Sequence, residues 1–314
     1  MKEAGNQAIL NDNFYLDPGY VYASNSDGTC KKTCTISTSP YVVDLYFEDG
    51  MNSTENMFYG LTNIVEVDLS HFDASKVTSM NSMFRECSNL EKIEFGNIDT
   101  SSVIDMSSLF HKCGKLTSLD FSHFNTTSVV KMNYMISDCD GFTYLNFSSF
   151  NTPNLEEMND LVSYDHYLLS VDLSSFNTSK VTNMQGIFYC CERLKYLDLS
   201  NFDGSSVTNF GYVFGYMYRV KFINLKNFKI SGEVYKHDLT NSMTSSVTFC
   251  IKDSYTKNFL LSGFNFDCSD LCFQKNIEVD IQSSYNDEYN VLCDCNNNFK
   301  YEFKQRCYDE CPRK

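Results

Sequence analysis

Fourteen cysteines are the residues best equipped for chemistry in this 314-residue chain, and their spacing splits them into two sets. Cys87, Cys113, Cys139 and Cys191 share one phase of a longer period, with Cys190 beside them but off phase. Cys30, Cys34, Cys250, Cys268, Cys272, Cys293, Cys295, Cys307 and Cys311 lie outside that period. The second set includes Cys30-x3-Cys34, Cys268-x3-Cys272, Cys293-x-Cys295 and Cys307-x3-Cys311, intervals that suit either zinc thiolates or disulfides. Zinc sites usually show paired short knuckles. Here the pairs are unevenly spread and no histidine supports them, so disulfides are the expectation, with zinc and reduced thiols as alternatives. Disulfides require an oxidising compartment. In the first set, neighbours on stacked strands about 4.8 Å apart could bridge. Cys139 and Cys191, however, are two periods apart, roughly 10 Å, beyond the ~7 Å reach of a disulfide. Asp165, Met217 and Leu61 fill the same phase elsewhere. A position that accepts those types is a packing position, so a ladder of buried free thiols is expected, with pairwise bridges as the alternative.

Catalysis finds little support. His71 and His123 share a phase that Asn97, Ser149, Ser175 and Asn201 occupy in other units, which marks a surface slot. The chain contains no glycine-rich phosphate loop, no G-x-S-x-G and no H-E-x-x-H. A catalytic site is one singular constellation, and this chain offers repeated ones. The expectation is no enzyme, no cofactor and no metal.

The elements that position these residues follow from one repeat. Val67-Asp68-Leu69-Ser70 returns as Ile93-Glu94-Phe95, Leu119-Asp120-Phe121, Leu145-Asn146-Phe147, Val171-Asp172-Leu173, Leu197-Asp198-Leu199 and Ile223-Asn224-Leu225. The central residues are 68, 94, 120, 146, 172, 198 and 224, each 26 after the last. Apolar–polar–apolar alternation predicts a short strand. Val181, Met184, Ile187 and Phe188 then fall on the spacing of one helical face. Phe176-Asn177-Thr178-Ser179 makes the intervening turn, with Ser179 placed to cap the helix. One such unit cannot bury its own apolar face, but stacked units can. The predicted fold class is α/β: a right-handed solenoid of 26-residue strand–turn–helix repeats with a parallel sheet on its concave face. Phe124, Phe150, Phe176 and Phe202 are expected to stack inside it. Phe249-Cys250-Ile251 falls in phase as an eighth strand, and Val43-Asp44-Leu45 is expected to form a shortened entry unit.

These units, with Leu194-Lys195-Tyr196-Leu197-Asp198-Leu199-Ser200-Asn201-Phe202-Asp203 followed by Val207-Thr208-Asn209 as an example, resemble the BspA-like, mycoplasma-lipoprotein type of leucine-rich repeat. The resemblance covers roughly residues 41–252. It implies a leucine-rich-repeat solenoid in a surface protein with a binding or adhesion role, and it supplies no ligand. The tail from Cys293 to Pro312 resembles the start of a growth-factor-receptor-like cysteine-rich module. The expected organisation is an N-terminal segment with a Cys pair over 1–40, the solenoid over 41–252 and a cysteine-rich module, whole or truncated, over 253–314.

A formal charge of −15 argues against nucleic acid, which demands a basic footprint. Neither a signal peptide nor a stretch of about 18 apolar residues is present. The cysteine-dense end stops abruptly at Lys314. The expectation is therefore a fragment of an extracellular or cell-surface protein, with no direct membrane insertion by this chain. Outward side chains of the strands form rows on the concave face. The central row is Asp68, Glu94, Asp120, Asn146, Asp172, Asp198 and Asn224, and stacked carboxylates repel by roughly 1 kcal/mol per pair. A solvated, solubilising row is one reading. The other is a site on Tyr144, Asp172, Tyr196, Asp198, Phe222 and Asn224, where aromatic anchors flank polar groups. The implied partner is a protein or carbohydrate, on a host or neighbouring cell. The alternative is a surface-coat spacer with no ligand. Asn52, Asn125, Asn146 and Asn177 open glycosylation sequons, and a glycan on Asn146 would obstruct the concave face.

Overall fold

The computed structural model describes residues 5–8, 10, 20–25, 28–30, 33–36, 42–47, 51–260, 263–268, 302–303 and 306–307. Between residues 51 and 260 the chain winds into stacked coils in the 26-residue register. Glu66–Asp68 pairs in parallel with Lys92–Glu94, and Tyr144–Asn146 with Ser170–Asp172. Tyr196–Asp198, Phe222–Asn224, Thr248–Cys250 and Asn265–Phe266 form a four-stranded parallel sheet. The expected eighth strand is therefore in place. The rings of Phe124, Phe150, Phe176 and Phe202 are buried within the core.

The strand side is nonetheless interrupted. Ser118–Asp120, where the third strand is expected, is not a strand, and Ser170–Asp172 and Tyr196–Asp198 belong to different sheets. Three-residue strands contribute too few ladder bonds to hold the register themselves. The uninterrupted element lies on the opposite side. Parallel bridges run from Ser53 to Ser79, Asp105, Lys131, Glu157, Asn183, Asn209 and Tyr235 without a gap.

This side corrects the helical reading. Where the spacing predicts a helix in each unit, the chain makes consecutive turns, and Ser254–Leu260 is the one α-helix among the described residues. The amides of Met80, Ser82, Phe84 and Glu86 donate to the carbonyls of Asp105, Ser107, Leu109 and His111 in the next coil. The alternate amides of Met83, Arg85 and Cys87 close turns onto Met80, Ser82 and Phe84. A helix would spend every one of these donors within its own coil. Here half of them tie neighbouring coils together. The geometry requires a left-handed residue every fourth position: Ser82 and Glu86, Ser108 and Lys112, Tyr134 and Asp138, Asp160 and Tyr164 all have positive φ. The inward spacing Met80, Met83, Phe84, Cys87 matches that of a helix, so periodicity alone could not separate the two. The solenoid is accordingly an all-β stack of strand and turn, not α/β.

The turn between the two sides carries a second inter-coil element. Thr100, Thr126, Thr152 and Thr178 are buried, and each hydroxyl donates to the carbonyl 25 residues ahead while accepting the amide of that same residue. At the amino-terminal end the entry unit differs from expectation. Asp44–Phe47 pairs antiparallel with Tyr20–Asn25 instead of joining the parallel stack.

Candidate functional site

The central acidic row of the strand face is built into the backbone. Each Asp or Asn at this position closes an Asx turn, in which Oδ1 accepts the amide two residues on. Ser70 donates to Asp68 at 2.8 Å, Ser122 to Asp120 at 2.9 Å, Ser174 to Asp172 at 2.9 Å and Ser200 to Asp198 at 2.9 Å. Asn146 and Asn224 accept from Ser148 and Lys226 in the same way. The hydrogen bonds from Ser70 and Ser122 hold the carboxyls of Asp68 and Asp120 below their ordinary range. Glu94 is one methylene too long for this turn and instead meets Lys92 at 2.6 Å. In its unit the residue two further on is Gly96, with φ +57°, where a Cβ would stand 2.7 Å from the Ser70 Cα. Turn formation thus accounts for the acids that repulsion alone left unexplained.

The sequence-selected residues distribute unevenly. Parallel register sets Tyr196 beside Phe222 and Asp198 beside Asn224, whose Nδ2 donates to Asp198 Oδ1 at 3.1 Å. Tyr144 and Asp172 lie in a different sheet, on neighbouring strands. Tyr144 and Tyr196 are half-buried, whereas Phe222 is 3% exposed and Asp172 5% exposed. Phe222 is covered where it stands and offers no exposed contact surface.

The four in-phase thiols are buried and free. Each donates to a carbonyl 29 residues back: Cys87 to Phe58 at 3.0 Å, Cys113 to Phe84 at 3.0 Å, Cys139 to Phe110 at 2.9 Å and Cys191 to Val162 at 2.9 Å. Burial pushes the Cys87 thiol up to about 12 and the other three well above the ordinary thiol value. Asp165 fills the missing rung. It is fully buried, its Oδ1 accepts the Cys139 amide at 2.7 Å, and its Oδ2 has no partner. Burial raises its pKa well above the ordinary carboxylate range, which favours the neutral acid. Cys250 and Cys268 form a disulfide that clamps the last strand of the stack. The side chains of Cys30, Cys34, Cys272, Cys293, Cys295, Cys307 and Cys311 lie outside the described residues. Asn52, Asn125, Asn146 and Asn177 are all exposed. Among the described residues no three His, Cys, Asp or Glu side chains converge as metal ligands, and no helix is long and apolar enough to cross a membrane.

The sequence reading missed the outer surface of the turn side. Tyrosine and histidine rings there contact one another from coil to coil: Tyr164 and Tyr189 at 5.3 Å, Tyr189 and Tyr216 at 5.3 Å, Tyr216 and Tyr218 at 6.0 Å, Tyr212 and His237 at 5.5 Å. Gly215 makes room for one of them, since a Cβ there would stand 2.9 Å from the Tyr189 ring. With this side read as helix, its tyrosines had no common face. The signal that could have found them is the 26-residue phase of Tyr164 and Tyr216 with Cys190 between.

A family model described as "Mycoplasma protein of unknown function, DUF285" matches residues 52–168 and 138–250. Among solved structures, the chain is similar to a leucine-rich repeat protein from Bacteroides ovatus ATCC 8483, at 13% identity over 81% of this chain and 78% of that one, with a TM-score of 0.36. It is also similar to a leucine rich cell surface protein from Faecalibacterium prausnitzii A2-165, at 14% identity over 83% of this chain and 96% of that one, with a TM-score of 0.30. No curated protein matches the chain.

Proposed function

This chain belongs to the DUF285 family, and on that basis we propose that it is a non-enzymatic recognition module of an extracellular or cell-surface protein. One observation carries the reading: the polar residues that repeat from coil to coil are consumed by hydrogen bonds that shape or join the coils. The Asx acids, the clasping threonines and the thiols all belong to this class. Other positions change their chemistry from coil to coil. On the strand face the row Glu66, Lys92, Ser118, Tyr144, Ser170, Tyr196, Phe222 varies most in chemistry. A regular scaffold carrying irregular side chains is the arrangement by which solenoids recognise partners. The ligand is a protein or glycan docking on the strand face around Tyr144 and Tyr196, beside Asp198 and Asn224. The Cys250–Cys268 disulfide supports export, because such bonds persist in oxidising compartments. The proposed domain division remains 1–40, 41–252 and 253–314.

The test is a screen of the intact chain against immobilised proteins and glycans, in parallel with a Tyr144→Ala, Tyr196→Ala variant. A ligand lost by at least tenfold in the variant supports the reading. Absence of any ligand supports the rival, a structural spacer of a surface coat.

A further inference from the structure

We propose a second recognition site, on the turn side, for an acidic sugar: a pyranose ring that carries a carboxylate. It rests on the reading of the chain as a recognition module but not on the strand-face assignment. The site is a shallow hollow of about 580 Å³ lined by Asp140, His166, Tyr167, Glu192, Arg193, Tyr218 and Arg219.

Three observations carry it. Arg193 and Arg219 occupy the same phase of consecutive coils, so their stems stand about 4.8 Å apart. Like charges stacked across neighbouring strands destabilise a fold, so this pair is not there for cohesion. Among the described residues neither guanidinium has a carboxylate at ion-pair distance, in a chain of 40 acids and 25 bases. The Nε of Arg193 is shut from solvent and has no hydrogen-bond partner. Second, the hollow has aromatic walls. Tyr167 is 50% and Tyr218 48% exposed, and the Arg193 guanidinium lies 5.9 Å from the Tyr167 ring centre. Third, hydroxyl-seeking groups are already oriented: His166 Nδ1 meets Asp140 at 3.0 Å, and Glu192 faces the hollow.

Each group has a task for one ligand class. Paired guanidiniums take a carboxylate through parallel N–H···O bonds. Tyrosine faces cover the apolar face of a sugar ring. Glu192 and His166 accept or donate to ring hydroxyls. The contacting rings of Tyr216, Tyr189 and Tyr164 run beside the hollow from Tyr218 to His166, an aromatic border for the further rings of an oligosaccharide.

The test is calorimetric titration of the intact chain with three probes: oligogalacturonate, its methyl ester and poly-glutamate. The expected result is binding of oligogalacturonate, with the ester and poly-glutamate each at least tenfold weaker. Arg193→Ala with Arg219→Ala should cost tenfold or more, and the double Lys variant, which keeps charge but not the fork, should fall between. Tyr218→Ala should weaken the acid and the ester alike, and each variant must melt as the parent does. Tyr196→Ala on the strand face should leave this binding unchanged. Equal affinity for the ester, equal affinity for poly-glutamate, an unaffected Arg double variant or no binding of oligogalacturonate would each overturn the proposal. A protein ligand found on the strand face while all three probes fail would remove this site and leave the proposed function standing.

Discussion

Thr126 and Asn151 are joined by two hydrogen bonds through one hydroxyl: Thr126 Oγ1 donates to the Asn151 carbonyl at 2.9 Å and accepts its amide at 2.8 Å. The threonine is 1% exposed, and its counterparts in neighbouring coils make the same pair of bonds. The four clasps fasten neighbouring coils at the corner between strand side and turn side. Valine has the same shape and neither bond. Thr126→Val should therefore destabilise the chain by about 2 kcal/mol, because it leaves a buried amide and carbonyl unpaired. Thr126→Ser should retain most of that stability. Chemical denaturation of the two variants checks the order, and equal midpoints would refute the clasp.

Asp165 makes stability depend on pH in an unusual direction. Its folded-state pKa lies above the unfolded value, through burial first, with Asp140 and Asp138 adding to the effect. The folded chain therefore holds a proton that the unfolded chain releases. Its contribution is largest below the unfolded pKa and falls as pH rises towards the folded one. Asp165→Cys restores the rung, with a thiol positioned to donate to the Ile136 carbonyl as Cys139 does to Phe110. The melting temperature of this variant should exceed the parent's at pH 7, and the gap should close as the pH approaches 4. A gap that widens on acidification would show that the acid is not buried neutral.

The thiol ladder should resist alkylation. Cys87, Cys113, Cys139 and Cys191 are buried, with thiols held protonated by burial. Cys190 is half-buried and pushed up to only about 11. Iodoacetamide on the native chain should label Cys190 first and reach the ladder only on unfolding. Peptide mass spectrometry gives the order, and early labelling of Cys113 would contradict it.

Much of this was legible in the residues. The interval from Asp68 to Asn224 fixes the register, and the apolar phase places Phe124 through Phe202 inside. The turn side was not legible, because Met80, Met83, Phe84 and Cys87 point inward at the same spacing in a helix and in a run of turns. The discriminating signal was weaker: Gly60 and Gly186, with Asn56, Asp138 and Asp160, sit at phases that require positive φ. A helix tolerates Gly, Asn and Asp poorly. The role of the row from Asp68 to Asp198 was open for a different reason. An Asx turn spends a carboxylate on its own backbone, and no spacing rule distinguishes that from a carboxylate offered to a ligand. Phe222 keeps the outward phase of its strand, with Ile223 as the core residue, yet it is buried, and alternation alone gives no measure of that cover.

Gly96 and Glu94 offer a test of the turn chemistry itself. Gly96→Ser alone should destabilise, since φ is +57° and the new Cβ would meet Ser70. Adding Glu94→Asp supplies the missing Asx acceptor and should recover part of the loss. A double variant no more stable than the single one would count against the coupling.

The central claim is a division of labour: polar side chains that repeat from coil to coil hold the stack together, and exposed ones that vary serve recognition. The most direct measurement is a set of thermal melts on matched single substitutions. Thr126→Val, Thr152→Val and Cys139→Ser represent the recurring class, and Tyr196→Ala, Tyr218→Ala and Arg219→Ala the varying one. The account predicts a clear fall in melting temperature for each of the first three and values close to the parent's for the last three. If the varying residues destabilise the chain as much as the recurring ones, they are structural, and the division fails.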